Sequence, residues 1–151
     1  MPTTQLLLFR PSPGALDAAR LRTFARTLRD QVTGGRNFCC LIADDRELRR
    51  LNARFLGNDH ATDVLSFPES GQVGIAPDFL GELAISRERA AEQARQHGHA
   101  VDEEIQILML HGVLHLLGMN HEADGGKMGR AEAAWRERLG LPVGLIERAA
   151  R

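Results

Sequence analysis

The sequence predicts a single α+β domain over residues 1–151, in which a small mixed β-sheet of about four strands packs with helices. Three observations predict this class. Four short apolar runs have the length and composition of strands. Segments with apolar residues at helical spacing separate the first three runs, as crossover connections between parallel strands require. The last third of the chain carries helical patterns only, and a length of 151 residues suits one domain.

The first half of the chain is predicted to alternate between strands and helices. Proline and glycine mark the breaks, and the run NFCCLIA has the continuous apolar character of a buried strand. Aspartate before a helical pattern is a common N-cap, and glycine after the pattern is a common stop. The predicted elements are a strand at 5–10, a helix at 15–32, a strand at 37–43, and a helix that begins after Asp44 or Asp45 and ends at Gly57.

The second half is predicted to contain a hairpin-like pair of strands and then helices. Pro68 is expected to end the third strand, and residues 69–79 have the composition of a loop. Ser86 is a candidate N-cap, and Gly98 and Gly118 are expected to end helices. The predicted elements are strands at 63–67 and 81–86 and helices at about 87–97, 102–117 and 126–139. The sheet is expected to be mixed, with right-handed crossovers between its parallel strands.

Composition excludes several classes of protein. The chain is 43% hydrophobic with a formal net charge of −1, which argues against disorder. No stretch approaches the roughly 20 apolar residues of a membrane span, and the N-terminus lacks the basic region of a secretory signal. Cys39 and Cys40 are adjacent, and sequence neighbours rarely form a disulfide of good geometry. We therefore expect a cytoplasmic protein with no membrane association.

The near-zero net charge hides an asymmetry between the two parts of the chain. Residues 1–56 carry a net charge of +5, and residues 57–151 carry −6. Two interpretations stay open at this point. Folding can mix the two parts so that no basic face results, or the first part can supply a basic surface that contacts phosphate.

Three histidines form the strongest chemical pattern in the sequence. His111 and His115 are four residues apart in a predicted helix, so both imidazoles leave the same face. Gly118 permits a sharp turn, after which His121 can return toward the other two. Three imidazoles with an open fourth position match a catalytic zinc site. The sequence therefore predicts one Zn²⁺ per chain, bound by His111, His115 and His121 at the end of a central helix.

The second position of this motif separates the chain from proteases with the same histidine spacing. Metzincin proteases carry glutamate there as a general base, whereas this chain has Gly112, which cannot move a proton. Three neutral ligands leave zinc with its full +2 charge, which lowers the pKa of bound water to about 7 and attracts an anionic substrate. The pattern therefore favours a phosphodiester over a peptide as substrate.

Three blocks of sequence, in this order, carry a family resemblance. They are Leu51-Asn52 followed by TDVLSFP at 62–68, LGELAIS at 80–86, and His111 to His121 followed by Glu122, Met128 and Glu132. On these blocks the chain resembles the YbeY family of metal-dependent bacterial endoribonucleases. The resemblance implies that the three histidines bind zinc and that the substrate is single-stranded RNA. It also implies processing of the 3′ end of the small-subunit (16S) rRNA and ribosome quality control as the setting.

Two positions depart from the family pattern. Family members usually carry arginine where this chain has Leu56, and a leucine cannot contact phosphate electrostatically. Arg54 and Arg87 are the nearest basic substitutes in sequence, and we take Arg54 as a candidate catalytic residue. The usual Tyr-Asp before the last histidine is Met119-Asn120 here. Asn120 can still hydrogen-bond beside the metal ligands, although it carries no charge.

Carboxylates near the three blocks have secondary roles in this interpretation. Glu82 lies in a strand that is predicted to be buried, and a buried carboxylate is costly unless it is paired. We therefore expect Glu82 to pair with a group such as a metal-binding histidine. Asp63 is expected to be a structural hydrogen-bond acceptor. Glu122 and Asp124 follow His121 and are candidates for proton transfer.

The function predicted from the sequence is that of a zinc-dependent, single-strand-specific endoribonuclease that matures rRNA on the small ribosomal subunit. Two alternatives stay open. One is a protease-type metal-dependent hydrolase, against which Gly112 argues. The other is a non-catalytic ribosome assembly factor with a structural zinc, which the loss of arginine at position 56 keeps under consideration.

Overall fold

The computed structural model describes residues 6–59, 62–69, 78–119 and 125–149. The strands are β1 (Leu7–Phe9), β2 (Asn37–Ala43), β3 (Val64–Pro68) and β4 (Phe79–Ser86). The helices are α1 (Ala18–Thr27), a π-helical turn that continues it (Leu28–Val32), α2 (Asp45–Leu56), α3 (Arg87–His97), α4 (Val101–Leu116), α5 (Lys127–Leu139) and α6 (Leu145–Ala149). These elements form the single α+β domain that the sequence predicts.

The four described strands form one mixed sheet in the order β1-β2-β4-β3. β1, β2 and β4 are parallel, and β3 pairs with β4 in the antiparallel direction. The mixed sheet and the hairpin-like pair of strands are therefore confirmed. Pro68 lies inside β3 rather than after it, which an edge strand tolerates because one side of its backbone has no ladder to complete.

The two faces of the sheet are covered unequally. Side chains such as Leu7, Ile42 and Leu83 point to one face, where they form the main core with α1 and α4. Neighbouring residues in each strand point to the other face, where α2 packs through Leu48 on Leu65 and nearby side chains. The helix α4 is apolar almost all round and buried along most of its length, so its C-terminal end is held firmly against the sheet.

Local capping explains why α2 and α3 begin where the sequence predicts. The side chains of Asp44 and Ser86 accept hydrogen bonds from the backbone N–H groups of Glu47 and Arg89. The predicted helix at 15–32 is shorter and less regular than expected, because Asp17 caps a helix that starts at Ala18 and ends in the π-helical turn. The five-residue helix α6 was not predicted.

A buried ionic cluster ties the C-terminal end of the described chain to α4. Glu104 is fully buried, and its carboxylate accepts two hydrogen bonds from Arg148, at 2.7 and 2.9 Å, and one from His99 Nε2 at 2.6 Å. Burial alone would raise the pKa of Glu104, but the hydrogen bonds from Arg148 and His99 outweigh it and hold the pKa below its usual value.

This cluster leads to a prediction about stability in acid. A carboxyl group whose pKa is lowered by folding stabilises the protein above its ordinary pKa of about 4.3 and loses that contribution as the pH falls through the folded-state value. Between about pH 5 and pH 3, we expect the unfolding free energy of Glu104→Gln to decrease less than that of wild type. Urea denaturation at several pH values measures this, and parallel acid profiles for the two proteins would contradict it.

Candidate metal centre

Two of the three predicted zinc ligands lie together at the end of the core helix. His111 and His115 are one turn apart near the C-terminus of α4, and their ring centroids are 4.8 Å apart with the rings inclined at 77°. His111 is buried and His115 is partly buried. The helix therefore presents two imidazoles side by side, as their spacing in the sequence predicts.

Each imidazole uses its Nδ1 atom in a hydrogen bond to the protein. His111 Nδ1 donates to Glu132 Oε2 at 2.6 Å, and His115 Nδ1 donates to the carbonyl oxygen of Met119 at 3.0 Å. A carbonyl oxygen can only accept, so the proton of a neutral His115 ring is on Nδ1. The lone pair of each ring is then on Nε2. Histidines that bind zinc through Nε2 show this arrangement, so the two residues fit a metal site.

Glu132 is the buried partner that the sequence interpretation did not identify. It lies on α5 and is fully buried. Its second carboxylate oxygen, Oε1, accepts from the backbone N–H of Ile146 at 2.9 Å, so the carboxylate links His111 to the start of α6. The signal in the sequence was modest: Glu132 and Met128 are four residues apart, and both occupy the buried face of α5.

The expectation that Glu82 pairs with a metal-binding histidine is wrong. Successive residues of a strand point to opposite faces, and it is Leu83 that faces α4, whereas Glu82 is exposed on the face that carries α2. The run around Glu82 is apolar, which led to the wrong inference of burial. Only the strand order and the position of α2 determine which face of β4 is left open.

Gly112 lies where α4 packs closely against the sheet. A Cβ atom at this position would lie 2.7 Å from Leu83 Cδ2, so the residue points into the sheet rather than toward the histidine cavity. A glutamate side chain here would start toward β4, and Leu83 would have to shift to admit it. The packing therefore agrees with the argument from sequence against peptide hydrolysis.

The histidine pair opens into a cavity of about 600 Å³, called here the histidine cavity. Its walls include Leu56, Asp63, Ser66, Pro68 and Met119. Leu56 lines the cavity with 48% of its surface exposed, at the position where the family resemblance implies arginine. The wall nearest the end of α2 is therefore apolar.

Asp63 and Arg87 have structural roles. Asp63 accepts hydrogen bonds from its neighbour Val64 N at 2.7 Å and from Gln93 Nε2 at 3.1 Å, as expected of a structural acceptor. The guanidinium of Arg87 reaches backbone carbonyl oxygens, among them that of Ile42 at 3.4 Å. Arg87 therefore lies away from the histidine cavity, and its hydrogen bonds connect the segment after β1 to the end of β2.

Arg54 does not line the histidine cavity. It lies near the end of α2 and lines a separate groove on the other face of the sheet, where its guanidinium carbon is 5.2 Å from the centroid of the Phe55 ring.

The remaining predicted site residues, Asn120 and His121, lie outside the described residues, as do Glu122 and Asp124. Within the part of the chain that the structure describes, no three potential ligands converge on one point.

Comparisons with known proteins identify close relatives. A family model described as Endoribonuclease YbeY matches residues 17–140. The chain is 52% identical over 147 residues to an Endoribonuclease YbeY from Solibacter usitatus, which covers 97% of this chain and 96% of that protein. It is 42% identical over 139 residues to one from Chloroflexus aggregans, with coverage of 85% and 91%.

The fold is similar to one solved by solution methods. The solution structure of TM1509 from Thermotoga maritima matches with a TM-score of 0.59 and 24% sequence identity, over 87% of this chain and 86% of that one. At this level of identity the likeness supports the fold alone. No helix of the described residues is long and apolar enough to cross a membrane.

Proposed function

The chain belongs to the YbeY family of endoribonucleases, hydrolases of rRNA maturation, and from this premise we propose that it is a zinc-dependent enzyme specific for single-stranded RNA. We propose that it processes the 3′ end of the small-subunit rRNA and takes part in ribosome quality control. Its partners are then single-stranded rRNA and the small ribosomal subunit, in the cytoplasm.

The observation that carries the proposal is the fixed orientation of His111 and His115. Glu132 and the Met119 carbonyl oxygen accept their Nδ1–H groups at 2.6 and 3.0 Å, so both rings hold the tautomer that ligates a metal through Nε2. Two oriented imidazoles at the end of an otherwise apolar helix, beside a cavity, are the arrangement expected of metal ligands. The arrangement supports one zinc ion per chain.

The path of the chain after α4 supports His121 as the third ligand. Gly118 has a φ of +94°, a left-handed conformation that turns the backbone sharply and that glycine adopts without strain. The turn brings the Met119 carbonyl oxygen to His115 Nδ1. His121 follows Met119 by two positions in the sequence. We infer that its imidazole completes the ligand set with His111 and His115.

The roles of the chain's own residues follow from this arrangement. When bound, zinc supplies positive charge that stabilises the developing charge of the phosphodiester and lowers the pKa of water. His111, His115 and His121 would hold it, and Glu132 keeps the His111 ring oriented and increases its basicity. Asn120, next to His121 in sequence, would contribute a hydrogen bond beside the ligands. The exposed walls of the histidine cavity would admit an unpaired strand.

Elemental analysis combined with an RNA cleavage assay tests this function. Purified protein is expected to contain about one zinc per chain and to cut a single-stranded fragment of the small-subunit rRNA, while the same sequence in a duplex survives. Removal of zinc with a chelator should abolish cleavage, and zinc should restore it. Protein without stoichiometric metal would refute the metal site, and zinc-loaded protein that never cuts RNA would favour the non-catalytic assembly factor.

A further inference from the structure

A second concave surface lies on the opposite side of the sheet from the core. Because α2 covers mainly the β4–β3 side of this face, the β1–β2 side stays open. The result is a groove of about 410 Å³ between α2 and the sheet, called here the sheet groove. Its floor includes Leu8 and Leu41, and its lining includes Arg10, Arg50, Arg54 and Phe55.

The charged groups of the sheet groove are mostly arginines from the basic first part of the chain. Glu47 is the main counter-charge, and it accepts from Arg50 at 2.6 Å and from Arg10 at 3.4 Å. Arg54 makes no ion pair with any residue in the described ranges and lies over the Phe55 ring. With Glu82 included, the three arginines leave the groove with an excess of positive charge.

Two adjacent exposed apolar residues connect the sheet groove to the histidine cavity. Phe55 is 57% exposed and lines the groove, where its ring centroid lies 5.8 Å from that of Phe67 with the two rings inclined at 71°. Leu56 is 48% exposed and lines the histidine cavity. The end of α2 therefore forms a short ridge between the sheet groove and the histidine cavity. A linear ligand that extends from the histidine cavity over Leu56 would contact Phe55 next.

We propose that the sheet groove binds the part of a single-stranded RNA substrate that flanks the cleaved bond. Phe55 would stack with a base, and Arg54, with Arg10 and Arg50, would contact phosphates. An exposed aromatic ring bordered by arginines is the surface that unpaired RNA recognises through base stacking and phosphate contacts. The inference rests on the proposed function, since it takes the histidine cavity as the place of cleavage.

Two substitutions test the groove without touching the histidines. Arg54→Gln removes the charge but keeps a long polar side chain, and Phe55→Leu keeps an apolar contact with Phe67 but removes the ring. The matched control is Arg138→Gln, since Arg138 is also exposed and lies 5.0 Å from the ring centroid of Trp135, on α5 and away from the groove. Fluorescence anisotropy with a labelled single-stranded RNA gives the affinity, and steady-state cleavage gives KM and kcat.

We expect both groove variants to raise Kd and KM with little change in kcat. Phe55→Leu should weaken binding about fivefold or more, as the loss of one base-stacking contact does. Arg54→Gln should weaken binding and also reduce the salt dependence of log K by roughly 0.7, which is the effect of one lost phosphate contact on a single strand. Arg138→Gln should match wild type in affinity, salt dependence and cleavage.

The outcomes separate this inference from the proposed function. If the protein cleaves RNA but both groove variants match Arg138→Gln in Kd and KM, the groove does not bind the substrate, and the histidine site stands. If zinc-loaded wild type binds RNA through the groove residues but never cleaves it, the groove stands and the catalytic proposal fails. If wild type neither binds nor cleaves single-stranded RNA, both are wrong.

Discussion

The Glu132→Ala variant is expected to bind zinc roughly 10–100-fold more weakly than wild type and to unfold more easily even without metal. The carboxylate is fully buried and accepts two hydrogen bonds, from His111 Nδ1 and from the Ile146 N–H group. Alanine leaves both donors in the interior without this acceptor, and each unsatisfied buried donor costs about 1–3 kcal/mol. The His111 ring also loses the group that fixes its tautomer and orientation.

The two consequences of Glu132→Ala are measured separately. Urea denaturation of the metal-free protein gives the loss of stability, and competition with a chromophoric chelator gives the zinc affinity. Glu132→Gln serves as the second variant, since it keeps the side-chain volume and one carbonyl oxygen while it removes the charge. Glu137→Ala is the matched control, because Glu137 lies on the same helix and is exposed. Unchanged zinc affinity in both Glu132 variants would refute the role of Glu132 in positioning His111.

Much of the fold could be predicted because its signals are local. The bounds of β2 are those predicted, since a continuous apolar run between a glycine pair and an aspartate cap leaves little freedom. The caps at Asp44 and Ser86 involve backbone groups only three residues away. Such contacts depend on a short stretch of chain, so they can be inferred before the tertiary structure is known.

The rest depended on contacts between distant residues. Glu132 meets His111 across 21 positions of sequence, and only the packing of α5 on α4 selects it over Glu82. The open face of the sheet follows from the strand order and from α2, which covers only part of it. The short helix α6 is held partly through Glu132 and through a pair of hydrogen bonds from Arg148 to Glu104. None of these pairings leaves a periodic signal in the sequence.

The basic first part of the chain shows how the structure resolves an interpretation that the sequence left open. Three arginines of that part line one groove with Phe55, so the charge is not fully mixed by folding. At the ridge beside it, Leu56 replaces the arginine implied by the family resemblance and lines the histidine cavity. Arg54, two positions before Leu56 on α2, lines the sheet groove on the other side of the ridge. Two arginines of α2, Arg50 and Arg54, therefore line the sheet groove, and no arginine of the described residues lines the histidine cavity.

The His115→Ala variant is expected to lose RNA cleavage by more than about 100-fold, since loss of a group that only orients a ligand already costs 10–100-fold. Its fold should persist. His115 is partly buried, and its Nδ1 bond to the Met119 carbonyl oxygen is worth about 0.5–1.5 kcal/mol. Cleavage of a single-stranded rRNA fragment, circular dichroism and urea denaturation of the same preparation measure both effects.

The contrast between lost cleavage and a retained fold distinguishes a catalytic zinc from a structural one. A structural zinc contributes about 10–16 kcal/mol to folding in small domains, so loss of one of its ligands would leave the chain unfolded. Here the core of α1, α4 and the sheet is formed by apolar side chains, independently of the histidines. The control is His97→Ala, at an exposed histidine on α3. An unfolded His115→Ala protein would establish a structural zinc, and a folded variant that cleaves like His97→Ala would remove His115 from the site.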